Sequence, residues 1–151
     1  MKIQEIKKEI FKKIDLLEKE RYKIVIVVGS PLCGKTSLAK EIAKEQKGEY
    51  IDYLKDVLSH LQSPTLGAFG LQDFIDDLKN RVNSTSAESL IIDEMEGLFS
   101  TWSKKQIKEL SGLLSNMATR VKVVLFVRKP CKWVEDIKRM STGDSRIVEI
   151  G

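Results

Sequence analysis

The residues best suited to chemistry lie in the run from Gly29 to Thr36, which reads Gly-Ser-Pro-Leu-Cys-Gly-Lys-Thr. The run fits the pattern G-x-x-x-x-G-K-[ST], with an apolar segment before it and a helical pattern after it. A loop that wraps back before a helix N-terminus directs several N–H groups at one anion, and the helix dipole adds to their attraction. The sequence therefore predicts a loop that binds phosphate groups.

Individual positions of this loop have predicted roles. The backbone at Gly29 and Gly34 can approach a phosphate closely because glycine has no Cβ. Lys35 is expected to reach the β- and γ-phosphates of a nucleotide, and the Thr36 hydroxyl to coordinate Mg²⁺. The remaining predicted contacts to the nucleotide are Ser30, Pro31, Leu32, Cys33 and Ser37. The chain lacks the Asn-Lys-x-Asp run of guanine-specific proteins, so we expect ATP, with Mg²⁺, as the ligand.

A second pair of candidate residues, Asp93 and Glu94, follows the apolar run at 90–92. Asp93 is suited to hold Mg²⁺ through its water shell. Glu94 is suited to accept a proton from the water that attacks the γ-phosphate. Together with the upstream phosphate loop, this pair predicts hydrolysis of bound ATP.

These residues fall at the ends of predicted strands that alternate with predicted helices. Apolar runs predict strands at 23–28, 90–92 and 121–127, and two further short strands are predicted at 50–53 and 147–150. Apolar side chains at helical spacing predict helices at 2–20, 35–46, 54–61, 71–82, 103–117 and 130–140. The alternation predicts an α/β three-layer sandwich with a mainly parallel five-stranded sheet. An N-terminal amphipathic helix precedes this core.

The length and composition fit one domain. The chain has 151 residues, of which 42% are hydrophobic. We expect residues 1–21 to form the N-terminal helix and 22–151 the nucleotide-binding core. No run approaches the ~20 continuous apolar residues of a membrane span. Cys33 and Cys131 have no metal-ligand spacing and suit a reducing compartment. We therefore expect a cytoplasmic protein with no membrane partner.

Charge is distributed unevenly along the chain. The net charge is +4, but residues 1–47 carry +5, residues 48–101 carry −7 and residues 102–151 carry +6. Polarised surfaces of this kind steer charged partners. The basic clusters are Lys104, Lys105 and Lys108, and Arg128, Lys129 and Lys132. They suit contact with a nucleic-acid backbone, although a solvated surface explains them almost as well.

The phosphate loop, the Asp93-Glu94 pair and a later strand ending at Arg128 resemble the additional-strand, catalytic-glutamate P-loop NTPases, of which AAA+ ATPases are a branch. The resemblance implies an enzyme that converts ATP to ADP and phosphate, with Arg128 as the sensor of the γ-phosphate or the water. It also implies an arginine finger supplied by a neighbouring subunit, for which Arg139 and Arg146 are the candidates. AAA+ proteins continue into a helical lid, whereas this sequence ends at residue 151. We therefore expect no lid, and activity that depends on a homo-oligomer or a larger complex.

A narrower resemblance and two alternatives stay open. The pattern Asp93-x-x-Glu96-x-Leu98-Phe99 is similar to the small P-loop protein of BREX phage-defence systems. That resemblance implies ATP binding or hydrolysis within a DNA-directed complex. One alternative is a small-molecule kinase of the P-loop type, in which Asp52 holds the acceptor hydroxyl. The other is a nucleotide-dependent module that binds nucleic acid or protein and hydrolyses little ATP.

Overall fold

The computed structural model describes residues 3–16, 23–29, 35–60, 70–96, 102–128 and 147–150. Within these residues, strands and helices alternate along the chain as predicted. The helices are α1 (Ile3–Leu16), α2 (Lys35–Glu45), α3 (Tyr53–His60), α4 (Leu71–Ser84) and α5 (Lys104–Ser115). The strands are β1 (Ile24–Gly29), β2 (Gly48–Asp52), β3 (Ser89–Asp93), β4 (Lys122–Arg128) and β5 (Ile147–Ile150).

The five strands form one sheet in the order β2-β3-β4-β1-β5, and each neighbouring pair is parallel. Strand β4 therefore lies between β1 and β3. The register places Gly29 beside Arg128 and Asp52 beside Asp93. Because parallel strands end at the same edge of a sheet, the residues that follow them are brought together there. The carboxyl edge thus collects Gly29, Asp93 and Arg128 of the predicted site.

The sheet is buried on both faces, as side chains of each strand alternate between two cores. One core lies beneath α1 and α2 and includes Val25, Val27, Ile91, Val124 and Phe126. The other lies beneath α3, α4 and α5 and includes Ile26, Val28, Ile92, Leu125 and Val127. Burial on both faces explains why the middles of β1, β3 and β4 are continuous apolar runs rather than alternating with polar residues. The predicted three-layer sandwich with a parallel sheet is confirmed.

Helix α1 packs beside α2 on one face of the sheet. Its buried isoleucines are Ile6, Ile10 and Ile14. The Lys7 ammonium lies 2.7 Å from a Glu45 carboxylate oxygen and 3.5 Å from one of Glu41, both on α2. The hydrogen bond to Glu45 raises the pKa of Lys7, so the ammonium stays charged. The predicted amphipathic face is confirmed at these three isoleucines, whereas the side chain of Ile3 and the whole of Leu17 lie outside the described part of the chain.

The junction between β2 and α3 differs from the sequence prediction. Strand β2 spans 48–52, so Gly48 begins the strand and Tyr53 begins α3 instead of ending β2. The reason is local, because Asp52 Oδ1 accepts the Lys55 N–H at 3.2 Å and thereby caps a helix that starts at 53. The predicted helix at 130–140 lies outside the described residues. In the described ranges, none of the helices combines the length and the hydropathy needed to cross a bilayer.

Candidate active site

The centre of the site is a contact between the first turn of α2 and the last residue of β3. The Thr36 hydroxyl donates a hydrogen bond to Asp93 Oδ2 at 2.8 Å. The Asp93 side chain is fully buried. A hydroxyl and a carboxylate are oxygen ligands that Mg²⁺ accepts, directly or through its waters. The donor set therefore fits a magnesium ion, and Thr36 and Asp93 are the residues that would hold it.

The Asp93 carboxylate is oriented by further donors. The Tyr50 hydroxyl donates to the same oxygen, Oδ2, at 3.1 Å. The backbone N–H of Glu94 donates to Oδ1 at 2.9 Å. Hydrogen bonds of this kind allow a carboxylate to remain buried. Even a neutral polar group costs about 2–7 kcal/mol when it is buried without a partner, and a charged group costs more. The carboxylate is thereby held in one orientation.

Tyr50 is a site residue that the sequence prediction missed. In the register between β2 and β3, Tyr50 pairs with Ile91, which lies two residues before Asp93. The side chains of Tyr50 and Asp93 therefore both lie on the α2 side of the sheet. The Lys40 ammonium lies 5.4 Å from the centre of the tyrosine ring. Burial and the negative charge of Asp93 raise the pKa of Tyr50, so its hydroxyl keeps its proton and acts as a donor.

Glu94 has an unusual backbone conformation for a residue with a long side chain. Its φ is 60°, in the left-handed region. That region costs roughly 1–2 kcal/mol for a residue other than glycine. Its N–H is bonded to Asp93 Oδ1, and its carbonyl accepts the N–H of Leu54 at 3.1 Å. The chain therefore turns sharply at the end of β3, and bonds on both sides of Glu94 hold the strained turn in place.

Arg128, at the end of β4, lies next to the candidate base. Its Nη2 is 3.6 Å from Glu94 Oε2, and its backbone N–H donates to Glu96 Oε1 at 2.7 Å. The two charged side chains are 54% and 30% exposed, so their attraction adds little to stability. The pair instead places a cation beside Glu94 at the strand end where the resemblance implies a sensor.

The family of the chain is shown by its match to the model of the ATPase family associated with various cellular activities (AAA) over residues 25–147. The chain belongs to the AAA family. Among curated proteins, none matches it. Proteins of this family typically bind ATP with Mg²⁺.

Several predicted contacts of this AAA domain lie outside the described part of the chain. They are residues 30–34 of the phosphate loop, the side chain of Lys35, and the finger candidates Arg139 and Arg146. Gly29 is the last residue of β1 and is buried, Lys35 begins α2, and Ser37 is exposed on that helix. The roles predicted for these residues stay predictions.

The structure supports the kinase hypothesis less well than the ATPase hypothesis. It depended on Asp52 as a partner for an acceptor hydroxyl. The structure uses this carboxylate to cap α3 through the Lys55 N–H. Membership of the AAA family favours ATPase activity over phosphate transfer to a small molecule.

Proposed function

We propose that this AAA domain hydrolyses Mg²⁺-ATP to ADP and phosphate, with Glu94 as the general base. The observation that carries the proposal is the hydrogen bond between Thr36 and Asp93. It joins the helix that follows the predicted phosphate loop to the strand that leads into Glu94. Magnesium ligands and a base at a single edge are the components that phosphoryl transfer to water needs.

The residues divide the chemistry as follows. Thr36 and Asp93 would hold Mg²⁺, which, when bound, neutralises charge on the β- and γ-phosphates. Glu94 would accept the proton of the attacking water. Its backbone, held at a positive φ, sets the direction in which its side chain leaves the chain. Arg128 would hold the Glu94 carboxylate until a phosphate oxygen competes for the guanidinium, which binds phosphate strongly.

Substitution of Glu94 tests this assignment. Glu94→Gln is expected to bind ATP as the wild type does but to hydrolyse it about 10²–10⁴-fold more slowly, as expected when a general base is lost. Glu96→Gln is the matched control, because it alters a neighbouring carboxylate while keeping an oxygen to accept the Arg128 N–H. Phosphate release from purified protein is the measurement. Equal turnover in wild type and Glu94→Gln would remove Glu94 from its role. Lys35→Ala is expected to abolish nucleotide binding or turnover.

The finer part of the proposal is that nucleotide binding is coupled to assembly. Its support is the polarised charge of the chain and the implied need for an arginine from a neighbouring subunit, Arg139 or Arg146. We include the DNA-directed phage-defence complex of the BREX type as a candidate setting. Support for that setting is the pattern running from Asp93 to Phe99, of which residues 97–99 lie outside the described part.

Light scattering with Glu94→Gln, with and without ATP and Mg²⁺, tests the assembly proposal. A nucleotide-driven increase in mass supports a homo-oligomer, and an unchanged monomer contradicts it. A binding assay with duplex DNA at several salt concentrations tests the nucleic-acid proposal. Contact with the phosphate backbone predicts affinity that falls steeply as salt rises. If turnover appears only with DNA or a partner, the alternative of a binding module with little intrinsic hydrolysis is the better description.

A further inference from the structure

We infer that Tyr50 is a positioning residue for the magnesium-dependent part of nucleotide binding, acting through the Asp93 carboxylate. The inference rests on the proposed function, since it concerns the same site. Neither the phosphate-loop pattern nor the Asp93-Glu94 pair includes a residue of β2. The assignment comes from the hydroxyl of Tyr50, which lies 3.1 Å from Asp93 Oδ2.

The first argument is the sharing of one oxygen. Thr36 and Tyr50 both donate to Asp93 Oδ2, whereas the Glu94 N–H donates to Oδ1. A carboxylate oxygen has two lone pairs, so both hydroxyls can donate to Oδ2 at once and orient the carboxylate together. Rotation of the carboxylate would break all three of these bonds. Tyr50 thus fixes the carboxylate plane and with it the direction in which Thr36 presents its own lone pairs.

The second argument is that the tyrosine ring is itself held in place. It lies on β2, directly opposite Ile91 in the register with β3, and it packs against the core beneath α2. The Lys40 ammonium on α2 lies 5.4 Å from its ring centre. A ring fixed by strand pairing and by packing can hold a carboxylate more firmly than a freely rotating side chain can.

Tyr50→Phe tests the inference because it removes only the hydroxyl. The probe is a non-hydrolysable ATP analogue, whose affinity for the full chain is measured in EDTA and across a Mg²⁺ titration. We expect the affinity in EDTA to stay within about twofold of the wild type, and the half-saturating Mg²⁺ concentration to rise about threefold to tenfold. Tyr50→Leu also lacks the hydroxyl and is expected to shift the Mg²⁺ dependence in the same direction, so the test does not depend on one variant folding.

Tyr53→Phe is the matched control. Tyr53 is a buried tyrosine that, like Tyr50, donates a hydrogen bond to a carboxylate, but its acceptor is Asp77, at 2.6 Å, between α3 and α4. Its substitution is expected to leave the Mg²⁺ dependence unchanged. In an Asp93→Asn background, Tyr50→Phe is expected to add no further change, since the two residues act as one unit.

The outcomes separate this inference from the proposed function. If the wild type binds nucleotide more tightly with Mg²⁺ and Tyr50→Phe shows the same dependence, the inference is overturned and the proposed function stands. A lower half-saturating Mg²⁺ concentration in Tyr50→Phe also overturns it, because the hydroxyl would then compete with the ion. If the wild type shows no magnesium-dependent binding, both fall.

Discussion

The hydroxyl of Thr36 lies 2.8 Å from Asp93 Oδ2, although 57 positions separate the two residues in the sequence. The contact joins the first turn of α2 to the end of β3, where the Asp93 side chain is buried. Although β4 separates β1 from β3 in the sheet, α2, which follows β1 in the chain, packs against β2 and β3, and this packing brings Thr36 to Asp93. The topology of the AAA fold thus has a direct chemical result, which is that a hydroxyl and a carboxylate share a site.

Substitution of Thr36 is expected to separate the role of the hydroxyl from that of the side-chain shape. Thr36→Val keeps the shape but loses the donor to a charged group. Such a bond contributes about 1.5–3 kcal/mol, so we expect Mg²⁺-dependent nucleotide affinity to fall about tenfold to a hundredfold. Thr36→Ser keeps the hydroxyl and is expected to remain within about threefold of wild type. Calorimetric titration with ADP and Mg²⁺ measures both, and equal affinities in Thr36→Val and wild type would contradict the assignment.

Glu94 permits a test of whether backbone strain is stored at the site. Glu94→Ala and Glu94→Gly both delete the side chain, but only glycine adopts a φ of 60° without steric cost. We expect Glu94→Gly to be more stable to unfolding than Glu94→Ala by about 1 kcal/mol, with turnover lost in both. Denaturant melts give the difference. A glycine variant less stable than the alanine variant would show that the turn carries no strain.

The sequence predicted the layers of the fold but not every residue of the site. Strands buried on both faces leave apolar runs, and these runs predicted β1, β3 and β4 close to their observed bounds. Asp93 was found because it ends such a run. Tyr50 was not found, because its role depends on the register between β2 and β3, which is decided by tertiary pairing rather than by local pattern.

Backbone conformation was the other feature beyond reach of the sequence. A positive φ is signalled by glycine or asparagine, whereas Glu94 carries no such signal. Its conformation follows from bonds to Asp93 and Leu54, residues on two different elements. The start of α3 was misplaced for a related reason. Tyr53 has strong strand propensity, but the Asp52 cap begins the helix there.

The cluster between α3 and α4 predicts how stability depends on alkaline pH. The Tyr53 hydroxyl donates to Asp77, which also accepts from Arg81, and Arg81 pairs with Asp56 as well. Burial, followed by the hydrogen bond to Asp77, raises the pKa of Tyr53 above its ordinary value of 10.0. Its contribution is therefore fully present below pH 10 and declines above it, because the unfolded chain loses the proton first. Each group of this kind lowers the free energy of unfolding by up to about 1.4 kcal/mol for every pH unit in that range.

Tyr53→Phe checks this dependence, since phenylalanine has no proton to lose. The variant is expected to be less stable than wild type at pH 8, because the hydrogen bond to Asp77 is gone. Between about pH 10 and pH 11.5, however, its free energy of unfolding is expected to fall less than that of the wild type. Denaturant melts across that range supply the slopes. Tyr50 and the lysines titrate in both proteins, so their contribution cancels in the comparison. Identical slopes would mean that Tyr53 ionises as easily in the folded state as in the unfolded one.

Two glycines are expected to respond to alanine in opposite directions. A Cβ at Gly48, where β2 begins, would lie 2.4 Å from Ser89 Oγ and 3.2 Å from the Ser89 carbonyl oxygen. Gly48→Ala is therefore expected to destabilise the domain by about 1–3 kcal/mol. A Cβ at Gly112 in α5 would meet nothing within 4 Å, so Gly112→Ala is expected to stabilise by about 0.5–1 kcal/mol through helix propensity. Thermal melts of both variants and of Gly48→Ala with Ser89→Ala measure the effects, and partial rescue by the second change identifies the serine hydroxyl as the source of the clash.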